Sequence, residues 1–262
     1  MGRMLAVAGN TFLEAIRDRI LYGFLFFAIS LILFSLVVGQ LSINEEVRAT
    51  IDIGMGGISL FAVLMAIFLS ISLFQKEIEK RTLYTILSRP ISRTTYLLGK
   101  YLGLSLTLLV EIVLMGLVWM GVLAVQGAAI PAGVLPAMVL IFVETLLVIA
   151  MTLFFTSFTS PFLSGLFSFG IFAAGRGADL LLELAKKPEM SVLAPVLKGF
   201  NSVIPNFYLF YPSGKMVEGS WASVHGQFIS TGYLFSTIGY GVIYIALFLT
   251  LSTLLLNRRD FI

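Results

Sequence analysis

Residues 53–75 read IGMGGISLFAVLMAIFLSISLFQ, a stretch without a charged side chain that decides the fold class. A helix needs about 20 mostly apolar residues to cross roughly 30 Å of hydrocarbon, and this stretch meets that length. Hydrophobic residues make up 58% of the 262 residues and charged residues only 12%, and the mean hydropathy is +1.00. A water-soluble fold would lack the polar side chains to cover its surface. The sequence therefore predicts an all-α polytopic membrane protein.

Similar apolar stretches on both sides of this one give six predicted transmembrane helices in a single domain, residues 1–262. The predicted spans are residues 20–40, 53–75, 101–125, 135–158, 162–182 and 231–256. Pro161 separates the fourth span from the fifth, because proline limits helix continuation. Lysine and arginine cluster before span one, between spans two and three and after the last span, whereas Arg48 lies between spans one and two. By the positive-inside rule, both termini are expected in the cytoplasm, with the chain in the cell (inner) membrane.

Two segments are predicted to lie on the cytoplasmic surface. Residues 3–19 place Leu5, Ala8, Phe12 and Ile16 on one helical face, which predicts an interfacial helix, the alternative being a solvated N-terminal helix. Residues 76–93 carry a short apolar stripe at 83, 86 and 87, followed by a proline that ends the helix and a serine that caps the next one. That stripe suits docking to a partner groove. The alternative is a positively charged loop that only fixes orientation.

The predicted extracytoplasmic loop, residues 183–230, is too long for a plain connection. Prolines break its apolar pieces, which predicts short helices on the outer face. Five of its aromatic residues suit a belt at the level of the lipid headgroups: Phe207, Tyr208, Phe210, Tyr211 and Trp221. Packing on top of the bundle is favoured for them over a role as a substrate lid, because interfacial aromatic residues are common.

Two carboxylates, Glu111 and Glu144, lie inside predicted spans at similar depth. A carboxylate in hydrocarbon is costly, so it is usually paired or functional. The two side chains are interpreted as a possible substrate path, in which they share a proton or bond to hydroxyl groups. The alternative is that each is a neutral, satisfied packing residue.

The sequence lacks the motifs of several enzyme classes. It contains no G-x-x-x-x-G-K-[ST] phosphate loop, no cysteine and a single histidine, His225. We therefore expect no catalytic residue, no bound metal or cofactor and no nucleic-acid partner. Transport against a gradient would take its energy from an ion gradient or from another subunit.

Several motifs resemble those of one transporter family. They are Asn10–Glu14 with Arg17 and Arg19, Lys76–Glu79, Thr82–Tyr84, Leu87–Arg93, Leu98–Lys100, Ile204–Phe207 with Phe210, and Arg258–Phe261. With these motifs the whole chain resembles the permease subunit of a type-2 ATP-binding-cassette exporter, and among these the six-span permeases typified by the nitrous-oxide-reductase maturation transporter. Arg81 departs from the glycine that many relatives carry.

The resemblance implies a homodimeric or paired pore in the membrane lipid, with one cytosolic ATPase per permease that binds ATP and Mg²⁺. Residues 76–93 would be the coupling helix seated in that ATPase. The residues expected to make this contact are Glu77, Glu79, Arg81, Thr82, Leu83, Leu87 and Arg93. Two other functions remain open: an ATPase-independent secondary transporter or channel, and a membrane scaffold or assembly factor.

Overall fold

The computed structural model describes residues 2–41, 46–79, 92–128, 133–178, 195, 199, 204–211, 213–217, 220–223 and 230–258. The helices are α1 (Gly2–Ile16), α2 (Arg19–Leu41), α3 (Glu46–Glu79), α4 (Arg93–Val125), α5 (Val134–Thr156), α6 (Pro161–Arg176) and α7 (Thr231–Arg258). A 3-10 helix (Phe207–Phe210) and the strands β1 (Ser213–Val217) and β2 (Ser220–Ser223) lie between α6 and α7.

Five of these helices are long and apolar enough to cross a membrane. They contain the candidate spans Arg19–Gln40, Ala49–Lys76, Arg93–Val125, Val134–Thr156 and Thr231–Leu256. The predicted fifth span, residues 162–182, is not confirmed. Its described part is α6, which has 16 residues and ends at Arg176 before the Gly177 cap. Such a helix is about 24 Å long, less than the thickness of the hydrocarbon core.

The helices extend beyond the apolar stretches that predicted them. The second span was bounded by Asp52 and Lys76, whereas α3 runs from Glu46 to Glu79. The third was expected to begin at residue 101, whereas α4 begins at Arg93. Charged residues mark where the hydrocarbon ends, but backbone hydrogen bonds continue the helix into water.

Two predicted helix boundaries are confirmed. The Ser92 side chain accepts a hydrogen bond from the Thr95 N–H and caps α4. At the other break, the Ser160 hydroxyl accepts from the Leu163 N–H, and Pro161 is the first residue of α6. Both are the expected positions for these residue types, since a cap satisfies a free N–H and proline lacks one.

Helices α3 and α5 form the centre of the bundle. Helix α3 packs against α2, α4, α5 and α6, and α5 also packs against α7. Glycine permits the closest of these contacts: a Cβ at Gly54 of α3 would lie 2.2 Å from the Trp119 side chain of α4. Helices α2 and α7 lie outside this centre and present large exposed apolar side chains such as Phe26 and Ile243, as expected where the solvent is lipid.

Contacts between helices fix their relative directions. Lys100 Nζ lies 3.4 Å from the Leu73 carbonyl, whereas Gly54 meets Trp119, so α3 and α4 are antiparallel. The Arg93 guanidinium donates to the carbonyl of Leu256, which joins the start of α4 to the end of α7. Since α1 also packs on α4 near its start, α1 and the end of α7 lie at the same end of the bundle.

The segment before α7 contains both predicted and unpredicted structure. The 3-10 helix lies in the predicted loop, and its Phe207 and Phe210 side chains are fully buried; the predicted short helices on the outer face are not confirmed. Packing is therefore confirmed for these two aromatic residues. The bundle is helical as predicted, but β1 and β2 pair as an antiparallel hairpin in which Val217 is opposite Ser220, where the sequence indicated helices.

Candidate functional site

The Glu144 carboxylate of α5 is fully buried and fully paired. Its Oε1 lies 2.5 Å from Nη1 of Arg176 in α6, and its Oε2 accepts a 2.9 Å hydrogen bond from Ser59 of α3. Arg176 Nη1 also donates to Ser59 Oγ at 3.2 Å. A carboxylate inside a bundle is stabilised by such a cation and by hydrogen bonds to both of its oxygens. We call Ser59, Glu144 and Arg176 the central charge cluster.

This cluster lies well inside the predicted hydrocarbon core. Ser59 is seven residues after Asp52, which bounds the apolar stretch of α3, and Glu144 is ten residues from the start of Val134–Thr156. At about 1.5 Å per residue, the two residues lie about 10 and 15 Å into a core of roughly 30 Å. Three helices therefore meet through charged and polar groups at the depth where water is least available to compensate them.

Two aromatic rings, those of Tyr211 and Phe172, lie near the guanidinium of Arg176. The Arg176 Cζ atom lies 4.1 Å from the Tyr211 ring centroid and 5.7 Å from that of Phe172, distances at which a cation is attracted to the ring face. The Tyr211 hydroxyl donates to the carbonyl of Asp52 in α3 at 3.2 Å. The central charge cluster thus also holds the segment that follows the 3-10 helix.

Glycine provides the space in which the 3-10 helix is seated. A Cβ at Gly175 of α6 would lie 2.2 Å from the Pro205 carbonyl and 2.7 Å from the Phe207 ring. A Cβ at Gly241 of α7 would lie 2.7 Å from Val143 and 3.2 Å from Phe210. The 3-10 helix is therefore packed among α5, α6 and α7, and it adjoins the central charge cluster through Gly175, the neighbour of Arg176.

Glu111 of α4 has a different environment from Glu144. Its side chain is 3% exposed, and neither carboxyl oxygen has a hydrogen-bond partner within the part of the chain that the structure describes. Of the arrangements that the sequence left open, Glu144 bonds to a hydroxyl group, that of Ser59, and also to Arg176, whereas neither Glu111 oxygen bonds to Glu144. A substrate path through either residue stays a prediction.

The sequence contained a signal for the missing partner of Glu144. Arg176 lies in an otherwise apolar stretch, and an intramembrane charge predicts an opposite charge nearby. Which carboxylate it meets depends on how α5 and α6 pack, and the spacing along the chain does not give this.

A second polar cluster lies at the end of the bundle that carries α1. Asp18 follows α1 directly, and its Oδ1 accepts a 3.0 Å hydrogen bond from the Ile20 N–H at the start of α2. Its Oδ2 accepts from Lys76 Nζ at 2.5 Å and from the Ser72 hydroxyl at 3.3 Å. Burial raises the pKa of Asp18, but the Lys76 and Ile20 hydrogen bonds together outweigh burial and hold it below its ordinary value. The carboxylate is therefore ionised at neutral pH.

Three of the seven residues expected to contact an ATPase lie within the described part of the chain: Glu77, Glu79 and Arg93. Glu77 and Glu79 are in the last turn of α3. Arg81, Thr82, Leu83 and Leu87 fall outside the described residues. Arg93 is the first residue of α4, and its guanidinium donates to the Leu256 carbonyl of α7. The segment 80–91 thus connects two helices that contact their neighbours at its entry and at its exit.

Helix α1 packs on α4 through a pair of glycines, of which the sequence analysis named only Gly99, within the motif Leu98–Lys100, and not as a helix contact. A Cβ at Gly99 would lie 2.7 Å from Val7, and one at Gly103 would lie 2.6 Å from the Ala8 carbonyl. This G-x-x-x-G spacing permits close approach of helices and was visible in the sequence. The contact rotates α1 relative to the predicted amphipathic face, so that Leu5 is 62% exposed while Thr11 and Ala15 are buried.

No cluster of three or more His, Cys, Asp or Glu side chains suited to a metal occurs among the described residues.

The fold and its buried charges define a multi-pass membrane protein. A family model described as ABC-2 family transporter protein matches residues 5–261, and the chain belongs to this family. It is accordingly a membrane permease component of an ABC transporter, and the family implies a partner ATP-binding-cassette ATPase. No curated protein matches the chain, and the finer similarity to the nitrous-oxide-reductase maturation transporter is not confirmed.

Proposed function

We propose that the chain is the permease of an ABC exporter, working as a homodimer in the cytoplasmic membrane with both termini in the cytoplasm. A separate cytosolic ATPase binds ATP and Mg²⁺ and docks on residues 76–93, and its closure moves the spans on either side of that segment. The observation that carries the proposal is the family match over residues 5–261. The absence of a phosphate-binding loop from the sequence supports an ATPase on another chain.

The structure supports this proposal through the two helices that residues 80–91 connect along the chain, α3 and α4. Both helices pack against several others in the bundle. A force applied at the end of α3 therefore acts on a helix that lies at the centre. Helices α1 and α7 contact α4 near its start, so α4 is held by two neighbours where it follows the docking segment.

Co-purification tests the partner. The full-length chain, tagged at one terminus and extracted from its own membranes in mild detergent, is expected to retain an ATPase subunit in equimolar amount. Glu79→Lys reverses a charge in the docking segment and is expected to reduce the recovered ATPase at least tenfold. Glu14→Lys in α1 is the matched control and is expected to retain it.

The purified chain and cells that carry it also test the two alternative functions, an ATPase-independent transporter or channel and a membrane scaffold. Substrate movement by the purified chain in liposomes without ATP or any partner would favour a secondary transporter or channel. A cellular function that persists when the ATPase is inactivated by mutation would favour a scaffold. Either result contradicts the proposed function.

A further inference from the structure

Asp18 joins three separate parts of the chain. It ends the turn after α1, accepts the Ile20 N–H at the start of α2 and binds both Ser72 and Lys76 in the last turns of α3. Its side chain is only 5% exposed, whereas that of Lys76 is 42% exposed. The buried partner is therefore the carboxylate, and it depends on Lys76 for its counter-charge.

Helix α1 connects this joint to the other side of the segment 80–91. Helix α1 packs closely against α4 at two glycines: Val7 lies over Gly99, and the Ala8 carbonyl lies over Gly103. The entry helix of the segment is thus bound to the α1–α2 turn through Asp18, and the exit helix is bound to α1 itself. Helix α1 bridges the two helices that flank the docking segment.

We propose that Asp18 is a positioning residue for coupling: through Lys76 it makes the end of α3 and the start of α2 move together when the segment 80–91 is displaced. The inference rests on the proposed function and extends it, because the motion then includes α2, a helix that the docking segment does not adjoin in the sequence. The ion pair transmits the displacement because a buried carboxylate that loses its cation is left uncompensated, so separation of the two helices is opposed.

Asp18 has two structural roles that substitution can separate: it caps α2, and it binds Lys76. Asp18→Asn keeps an oxygen that accepts the Ile20 N–H, and so keeps the cap of α2, but it removes the charge that binds Lys76. Lys76→Met removes the charge from the other side, and Lys76→Arg preserves it. Arg19→Gln removes an adjacent exposed charge and is the matched control.

The absence of cysteine from the chain permits a direct measurement of α2. Cysteines placed at Val37 of α2 and Ile243 of α7, both exposed, carry spin labels in the full-length chain bound to its ATPase subunit in nanodiscs. We expect the distance distribution between the labels to change when ATP and vanadate are added. Asp18→Asn is expected to reduce that change at least twofold with ATP hydrolysis retained. Lys76→Met is expected to reduce the change to a similar extent, while Lys76→Arg and Arg19→Gln preserve it.

The outcomes distinguish the two proposals. A full change in the distance distribution in both Asp18→Asn and Lys76→Met overturns the role of Asp18 and leaves the proposed function intact. A native complex that hydrolyses ATP but shows no change of distance also overturns this inference. A chain that recovers no ATPase at all overturns the proposed function, and the inference with it. If Asp18→Asn does not fold, Lys76→Met with Lys76→Arg as its control decides the question alone.

Discussion

The guanidinium of Arg176 is shared by one carboxylate, one hydroxyl and two aromatic rings. The pair holds α5 and α6 together, and each Glu144 oxygen accepts one hydrogen bond, so that the carboxylate has its counter-charge within the bundle in this conformation. At the residue scale, Glu111 differs from Glu144 because its carboxyl oxygens have no hydrogen-bond partner among the residues that the structure describes, although the sequence treated the two carboxylates alike.

Replacing Arg176 with Leu should destabilise the protein strongly. Glu144 would remain fully buried without its cation, which costs about 3–5 kcal/mol when one partner of a buried pair is removed. The apparent unfolding temperature in detergent should fall, and Arg17→Leu, at an exposed position, should change it little. The double variant Glu144→Leu/Arg176→Leu should regain most of the loss, because an apolar pair leaves no buried charge. Equal stability of native protein and Arg176→Leu would contradict the pairing.

Replacing Glu111 with Leu should have the opposite effect on stability. A buried carboxyl group without a partner costs free energy, so an apolar side chain of similar volume should leave the unfolding temperature unchanged or raise it. If Glu111 lines the substrate path, Glu111→Leu and Glu111→Gln should both lose transport at normal membrane abundance. Retained transport in both variants would remove Glu111 from the path.

The stabilisation from Asp18 should be insensitive to pH near neutrality. Because the folded-state pKa of Asp18 is lowered, its ion pair is fully formed above the ordinary carboxyl pKa of about 3.9 and is lost as the pH falls through the lower folded value. Asp18→Asn should therefore cost the same at pH 6 and pH 8, as measured by thermal unfolding. A cost that disappears between these pH values would contradict the ionised state of Asp18.

At the scale of elements, the sequence predicted the helices that are bounded by local signals and missed what depends on packing. Ser92 and Pro161 act within one turn of the chain, so their cap and break were foreseeable. The ends of α3 were not, because an apolar stretch measures the thickness of hydrocarbon rather than the length of a helix. The packing of α1 against Gly103 brings together two segments that are far apart in the sequence, and a hydropathy profile does not predict such a contact.

Two glycines of α4 provide a test of that seat. A side chain at Gly103 would meet the Ala8 carbonyl, whereas Gly121 on the same helix has no neighbour within 4 Å of its Cβ position. Gly103→Leu should displace α1, lower the unfolding temperature and raise hydrogen exchange in residues 2–16. Gly121→Leu has the same helix propensity change and should do none of these. Similar behaviour of the two variants would argue against the packing of α1 on α4.

At the scale of the whole molecule, the contacts place α1 and the end of α7 at one end of the bundle, and the positive-inside rule assigns that end to the cytoplasm. Which side of the membrane this end faces is open to direct measurement. The cysteine-free sequence makes every introduced cysteine a unique label.

Single cysteines should report the orientation. A cysteine at Val125, an 82%-exposed residue at the opposite end of α4, should react with a membrane-impermeant maleimide in intact cells. A cysteine at Thr82 should react only after the membrane is opened, because the docking segment is expected inside. Labelling of Thr82→Cys in intact cells would reverse the topology and exclude docking of a cytosolic ATPase there.

The wedge formed by the 3-10 helix has a consequence for biosynthesis. Phe207 and Phe210 contact α6 through Gly175 and Phe172 and contact α7 through Gly241 and Tyr240, but α7 leaves the ribosome after them. The two rings therefore pack against α5 and α6 first and lack the contact with α7 until the last helix inserts. The part of the bundle around the 3-10 helix closes as a late step of assembly, and a nascent chain halted before α7 would expose aromatic surface that quality-control proteases and chaperones recognise.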